Sequence, residues 1–340
     1  MTMYHIDLAD SGVKFGIIGT NFISDSLAEA AKQTGLAICA VYSRKKETGE
    51  AFAKKHGIEN VFCDLEEFLS SDCINAVYVA SPNFCHYPQT IAALEHGKHV
   101  LCEKPAASNC RDFEKMRALA KEKGLVLLEA MRPAHDVALE KVKELVKRCG
   151  KLRYAHFEYS QYSSRYDKFK CGEILNAFNP EYSNAAVMDI GVYPINVCVS
   201  LFGRPQKVIS HSVLLSNGFE GQGNVLLSYD DMTTEIVYSK ITHAVLPSII
   251  RGEAGEVHFG NALSKIDRIS FFERGGKEEK IDFCPVGNNM IYELFAFCEM
   301  INGNENAEKY LDDTAATLEI MDEIRRQNNI VFPDDADIEK

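Results

Sequence analysis

The stretch His99-Val100-Leu101-Cys102-Glu103-Lys104-Pro105 decides the fold. His99 to Cys102 is a short apolar run that reads as a buried strand of a parallel sheet. Pro105 stops it, because proline brings no backbone donor and cannot continue a central strand. Glu103 and Lys104 therefore stand at the carboxyl end of a strand, the edge at which open α/β sheets bind ligands. A lysine held there can act as a fixed cation, a hydrogen-bond donor or, with a lowered pKa, a proton-transfer group. An isolated E-K-P would read as a surface ion pair in a loop, and the segments on either side decide otherwise.

Upstream, Val13 to Ile18 forms a first strand, followed by the turn Gly19 to Ser24 and a helix from Asp25 to Thr34 closed by Gly35. Leu36 to Tyr42 is a second strand, and Lys45 to His56 a second helix capped by Gly57. Ala76 to Ala80 is a further strand, and Pro88 to His96 a helix. Downstream come a helix from Cys110 to Lys123 and a strand from Leu125 to Ala130. Strands alternating with helices imply right-handed crossovers and a parallel sheet, here a doubly wound nucleotide-binding domain over residues 13–132. Residues 1–12 read as a loosely held leader.

Residues 133–340 differ in character. After a helix from Val137 to Arg148, Leu152 to Tyr162 alternates like a half-buried strand. A polar, tyrosine-rich stretch reaches Ser183, and Met188 to Leu201 reads as a buried helix. Short β-rich segments then follow at Val208–Leu215, Val225–Tyr229, Thr234–Ser239, Glu256–Phe259, Ile269–Phe272 and Lys280–Phe283, the pattern of an antiparallel sheet. Helices at Met290–Ile301 and Thr314–Gln327 complete a second, α+β domain.

The 340 residues suffice for two cores, and 46% hydrophobic with 25% charged residues is an ordinary globular composition. A net charge of −12 argues against nucleic acid or an anionic membrane as partner. No apolar run approaches the roughly 18 residues of a spanning helix. Eleven cysteines, scattered singly, with several such as Cys39, Cys102 and Cys198 inside apolar runs, read as reduced thiols in the cytoplasm. No His, Asp and Glu cluster has metal-ligand spacing, so no metal is expected.

Four motifs carry chemistry. The G-x-G-x-x-G frame falls on Gly19, Asn21 and Ser24, with one glycine kept; asparagine tolerates left-handed dihedrals and serine is small. The turn Gly19-Thr20-Asn21-Phe22-Ile23 is the expected pyrophosphate site. At the end of the second strand, Tyr42-Ser43-Arg44-Lys45-Lys46 lacks the acid that binds a ribose 2′-hydroxyl. Ser43 and Arg44 suit a 2′-phosphate instead, which favours NADP(H) over NAD(H). Ser81-Pro82-Asn83, with His86, follows a strand and faces the expected cofactor edge. Finally, Met188-Asp189-Ile190-Gly191-Val192-Tyr193-Pro194 places Asp189 and Tyr193 four apart on one helical face. A tyrosine near a lysine can serve as a proton acceptor and donor.

Together, G-I-I-G-T at 16–20, S-P-N at 81–83, E-K-P at 103–105, M-D-I-G-V-Y-P at 188–194 and the Gly252-Glu253-Ala254-Gly255 turn resemble the glucose–fructose oxidoreductase/inositol dehydrogenase (Gfo/Idh/MocA) family. The resemblance implies a Rossmann domain, a second domain built on a large open sheet, and an NAD(P)-dependent redox step on a sugar, cyclitol or diol. It also implies a homodimer or homotetramer formed through the open sheet. Residue by residue, Lys104 matches the catalytic lysine, Lys104-Pro105 a cis peptide beside the nicotinamide, and Asp189 a substrate-site aspartate that fixes the substrate or Lys104. Tyr193 stands where inositol dehydrogenases carry a histidine base, which is similar to the dihydrodiol dehydrogenase branch. Glu103 joins the cofactor set, and Arg132, His135 and Tyr162 are candidate substrate contacts. The competing reading is a non-catalytic NADP-binding regulator on the same fold.

Overall fold

Apolar runs bounded by glycines and turn residues form six strands: β1 (Lys14–Ile18), β2 (Ala37–Tyr42), β3 (Asn60–Phe62), β4 (Ala76–Val79), β5 (His99–Glu103) and β6 (Leu127–Ala130). They pair in parallel in the order β3-β2-β1-β4-β5-β6. The strand order reverses between β1 and β4, so the loops after those two strands lie side by side at the carboxyl edge, where such sheets bind dinucleotides. The helices Phe22–Thr34, Lys46–His56 and Cys110–Lys123 each end on a left-handed glycine, Gly35, Gly57 and Gly124. This architecture comes from a computed structural model that describes residues 6–260, 262–283, 286–333 and 335.

The chain divides into two units. Unit 1 runs to Arg132 and includes Val286–Asp312; unit 2 is Pro133–Pro285 with the chain from Asp313 onward. Three features of unit 1 differ from the sequence reading. Strand β3 and the helix Leu65–Ser70 were not anticipated, because a three-residue, half-buried edge strand is too short to show a period. The helix Met290–Ile301, expected in the second domain, belongs to unit 1. It is buried on nearly every side, and Phe297 lies 5.4 Å from Phe15 of β1, centroid to centroid. Residues 6–12 are not a loose leader: Leu8 is buried in the core of unit 1 and its N–H donates to Thr34 O at 2.6 Å. Residues 1–5 of the expected leader lie outside the described residues.

Unit 2 is built on eight strands: β7 (Leu152–Ser160), β8 (Lys207–Leu214), β9 (Glu220–Ser228), β10 (Thr233–Ser239), β11 (Ser248–Gly252), β12 (Gly255–Phe259), β13 (Ile269–Glu273) and β14 (Glu278–Lys280). The order is β14-β13-β12-β11-β7-β10-β9-β8, antiparallel except for the parallel pair β7/β10. Alternation puts Ala155, Phe157, Val225, Leu227, Ile236, Tyr238, Val257 and Phe259 in the core. The opposite face keeps Ile209 and Leu226, paired across β8 and β9, among the exposed large hydrophobics. Strand β11 was not anticipated, but the glycine turn at 252–255 is the β11–β12 hairpin. The expected strand at Lys280–Phe283 lies earlier, at Glu278–Lys280. Both sheet edges are blunted. The Ser210 and Ser212 N–H groups of β8 donate to Gln327 Oε1 and Asn328 Oδ1 at 2.8 Å each, and β14 carries only exposed charges.

The expected helix at 188–201 is instead a turn of π-helix, Val187–Gly191, running into an α-helix, Val192–Phe202. Against the sequence reading, the helical stretch Pro180–Phe202 is long and apolar enough to cross a membrane, yet 78% of its most apolar window is buried inside the protein. It is a core helix by packing.

Candidate functional site

At the β1/β4 switch point, Gly19 has φ +106°, a region that favours glycine, and an added Cβ would meet Ala80 O at 2.7 Å. Glycine thus lets the two loops close on each other and leaves bare backbone at the ligand edge, as a pyrophosphate needs. Asn21 behaves differently from expectation. Its backbone is extended (φ −88°) rather than left-handed, and it caps the helix Phe22–Thr34. Oδ1 accepts from the Ile23 and Ser24 N–H groups at 2.9 and 3.2 Å, while Nδ2 donates to Ala80 O at 2.8 Å. The carboxamide therefore stitches the two loops together and satisfies two helix-start donors, a cap worth about 1 kcal/mol. Phe22 is 67% exposed beside Thr20 and Ile23.

After β2, Ser43 is buried and its hydroxyl donates to Lys45 O at 3.0 Å or meets Thr48 Oγ1 at 2.7 Å. Arg44 is exposed, so of the two residues it is the one that presents a charge at this strand end.

The E-K-P loop is clamped from three sides. Glu103 is buried; its Oε1 accepts a short hydrogen bond from Tyr78 OH, and Oε2 accepts the Lys104 N–H at 3.2 Å. Burial raises the Glu103 carboxyl, against the pull of Lys104, Tyr78 and Arg132. His86 starts the helix His86–Glu95 and is buried between Ser81 O (Nε2, 2.9 Å) and Pro105 O (Nδ1, 2.8 Å). Burial lowers its pKa and Lys104 adds to the effect, while the two flanking carbonyls oppose it, and the ring sits between the S-P-N and E-K-P loops. The third clamp is Glu129 of β6, whose Oε1 accepts the Ala106 N–H at 2.9 Å. The Lys104-Pro105 peptide is cis. Ser81 Oγ donates to Gln89 Oε1 at 2.7 Å, and Pro82 and Asn83 open a single 3₁₀ turn. Beneath this edge lies Glu293, fully buried. Burial raises its carboxyl well above the ordinary range, Glu103 raises it further, and Arg132 opposes both.

In unit 2 the π turn explains the D-I-G-V-Y pattern. A Cβ on Gly191 would meet the Tyr238 ring at 2.9 Å, and one on Gly223 would meet Tyr238 Oη at 2.2 Å, so the ring is sandwiched between two glycines. Its hydroxyl donates to Glu220 Oε1 at 2.8 Å. Glu220 also accepts from Ser212 Oγ at 2.6 Å and, through Oε2, from the Val187 N–H at 2.7 Å. That last bond pins the start of the π turn. Asp189 emerges from it and pairs with Lys240 Nζ at 2.7 Å. Lys240 is an ion-pair partner of Asp189 that the sequence reading did not anticipate. Tyr193, buried, packs its ring 5.7 Å from Tyr159.

Of the remaining candidates, His135 has buried ring nitrogens and is pushed down to about 3, by burial first and Lys143 second, so it is neutral near neutral pH. Tyr162 donates to Asp167 Oδ1 at 2.7 Å and accepts from Lys170 Nζ at 2.8 Å in an exposed cluster. The structure thus gathers Gly19, Asn21, Ser81, His86, Glu103 and Lys104 at one sheet edge of unit 1, and places Asp189 and Tyr193 on one turn of unit 2. Sequence reasoning missed Tyr78, Glu129, Glu293, Glu220 and Lys240. Glu129 left a signal, a carboxylate inside the apolar strand Leu127-Leu128-Glu129-Ala130, which burial obliges to find a partner.

Residues 13–131 match the family described as an oxidoreductase family with an NAD-binding Rossmann fold, and residues 139–258 match the GFO/IDH/MocA C-terminal domain. The chain belongs to the Gfo/Idh/MocA oxidoreductase family. As a member it is an NAD(P)-dependent oxidoreductase, and the enzyme reading stands over that of a non-catalytic regulator. Among Gfo/Idh/MocA relatives, the scyllo-inositol 2-dehydrogenase (NADP(+)) IolU of Bacillus subtilis is 41% identical over 95% of this chain and 99% of its own length. Trans-1,2-dihydrobenzene-1,2-diol dehydrogenase of Xenopus tropicalis is 24% identical over 94% and 99%. KijD10, a 3-ketoreductase from Actinomadura kijaniata solved with NADP and TDP-benzene, shares the fold with a TM-score of 0.81 at 21% identity, over 93% of this chain and 98% of its own.

Proposed function

We propose that this enzyme uses NADP(H) to interconvert an alcohol and a carbonyl on a polyol or sugar, with a cyclitol such as scyllo-inositol as the first substrate to test. The observation that carries the reading is the full-length, 41% identity to an NADP(+)-dependent scyllo-inositol dehydrogenase. In this reading Gly19, Thr20, Asn21, Phe22 and Ile23 hold the pyrophosphate, and Arg44, positioned by Ser43, takes the 2′-phosphate. Ser81, Pro82, Asn83 and Glu103 line the cofactor edge, and His86 fixes its shape. NADP, when bound, supplies or accepts the hydride. Lys104 donates to the reacting hydroxyl and steadies negative charge on it; Tyr193 takes or gives its proton; Asp189 holds neighbouring substrate hydroxyls. Arg132, with the neutral His135 and Tyr162, is assigned to the substrate's far end.

The same reading has the chain assemble as a homodimer or homotetramer through the uncovered face of the eight-stranded sheet, where Ile209, Val213 and Leu226 are exposed. It also places the protein in the cytoplasm. Burial pushes the Cys149 and Cys298 thiols up to about 11, which disfavours their reactive thiolates at neutral pH.

Fluorescence titration with NADPH and NADH tests the cofactor assignment. NADPH is expected to bind more tightly, and Arg44→Ala to weaken NADPH about tenfold or more while sparing NADH. Tighter NADH binding, or no effect of the variant, would remove the 2′-phosphate assignment. Light scattering on the same sample tests assembly, and a monomer mass would end that part of the reading.

A further inference from the structure

Lys240 follows β10 and has no role in the mechanism above. Its side chain is 4% exposed, so its charge needs compensation inside the protein. Nζ meets Asp189 Oδ2 at 2.7 Å and donates to Ala177 O at 2.6 Å. It also lies 4.8 and 5.1 Å from the ring centroids of Phe178 and Phe219, which pack 4.9 Å apart. A carboxylate, a carbonyl and two aromatic faces thus enclose one ammonium. The Lys240 backbone adds two further ties: its N–H donates to Gly221 O, and its carbonyl accepts from the Ser163 N–H, both at 2.9 Å. One residue therefore joins two points of the polar stretch, Ser163 and Ala177, to the turn that carries Asp189. The Asp189 side chain keeps 37% of its surface exposed, so a buried cation anchors a carboxylate that still faces solvent.

We infer that Lys240 is a positioning residue for the reaction, fixing Asp189 and the segment 163–177 in one arrangement so that substrate meets both together. The inference rests on the reading of Asp189 as a substrate-site residue. A lysine that served only the core would give the same burial, but its removal would cost the same whether or not Asp189 was present.

A double-mutant cycle on the full chain decides between these. Lys240→Met, Asp189→Asn and the double variant are compared in kcat/KM for polyol oxidation with NADP, alongside NADPH titration and melting. Lys240→Met is expected to lower kcat/KM about tenfold to a hundredfold, the scale of one hydrogen bond to a charged group. In the Asp189→Asn background it should cost less than about twofold more. Trypsin should also cut Lys240→Met faster at Arg165, Lys168 or Lys170, all exposed in the tethered segment. Penalties that multiply, wild-type turnover by Lys240→Met, or unchanged trypsin cleavage would each overturn the inference. Should Lys240→Met fail to fold, Lys240→Arg carries the test. It keeps the charge and is expected to retain turnover with a raised KM; equal loss of turnover and NADPH affinity would make Lys240 structural only and overturn the inference. A neutral Asp189→Asn would instead strike the reading of Asp189 itself.

Discussion

The E-K-P loop of unit 1 and the D-I-G turn of unit 2 are both clamped, but by opposite means. Around Lys104 two clamps are acceptors, Glu103 taking the Lys104 N–H and Glu129 the Ala106 N–H, and the third is His86, set between two carbonyls. Buried acids and the His86 imidazole hold the backbone on either side of the lysine. Around Asp189 the clamp acts on the side chain itself. A buried lysine holds its side chain, and a buried glutamate holds the turn beneath it through Val187. On the proposed roles of Lys104 and Asp189, buried groups hold each charged residue in place, so deleting a clamp and deleting the charged residue should have distinguishable effects.

The largest expected effect is at Lys104 of unit 1. Lys104→Met should lower kcat about a hundredfold to ten-thousandfold, the range for a lost proton-transfer or charge-stabilising group, while NADPH still binds. Turnover persisting in this variant would end the parallel between the two regions, since Lys104 would then be no more than another brace.

A smaller effect is expected at the clamp of unit 2. Burial raises Glu220 to about 7 from an ordinary 4.5, against the pull of Ser212, Val187 and Tyr238. The native state therefore keeps this proton to higher pH than the unfolded chain does. The associated stability is fully present below about pH 4.5 and is lost as pH rises through about 7. Glu220→Gln keeps a carbonyl for the Val187 N–H, its amide can turn to the two hydroxyls, and it cannot titrate. Thermal melts across that window should fall more steeply for the wild type than for the variant. Identical slopes would mean that Glu220 does not hold a proton in the folded protein.

The same contrast explains what could be read from the sequence. Lys104 was legible at a ligand edge because its signals are local, an apolar run ended by a charge and a proline. Five of the six parallel strands were legible for the same reason, while β3, three residues at a half-buried edge, had no period to show. Gly19 was legible as a tight turn, but the cap made by Asn21 was not, since asparagine suits both a left-handed turn and a helix start. In unit 2 the motif located Asp189 and Tyr193 and missed their support. Lys240, Glu220 and Tyr238 reach the π turn from β9 and β10, and nothing in residues 187–193 names them. The helix Met290–Ile301 was placed in the wrong unit because an apolar helix does not record which sheet it covers.

The central claim is tested most directly by steady-state NADP reduction over a panel of cyclitols, sugars and diols led by scyllo-inositol, run in parallel with NAD. The account predicts turnover with at least one polyol, with NADP preferred over NAD. Tight NADPH binding without oxidation of any polyol, or of the reverse reaction with the matching ketones, would contradict it.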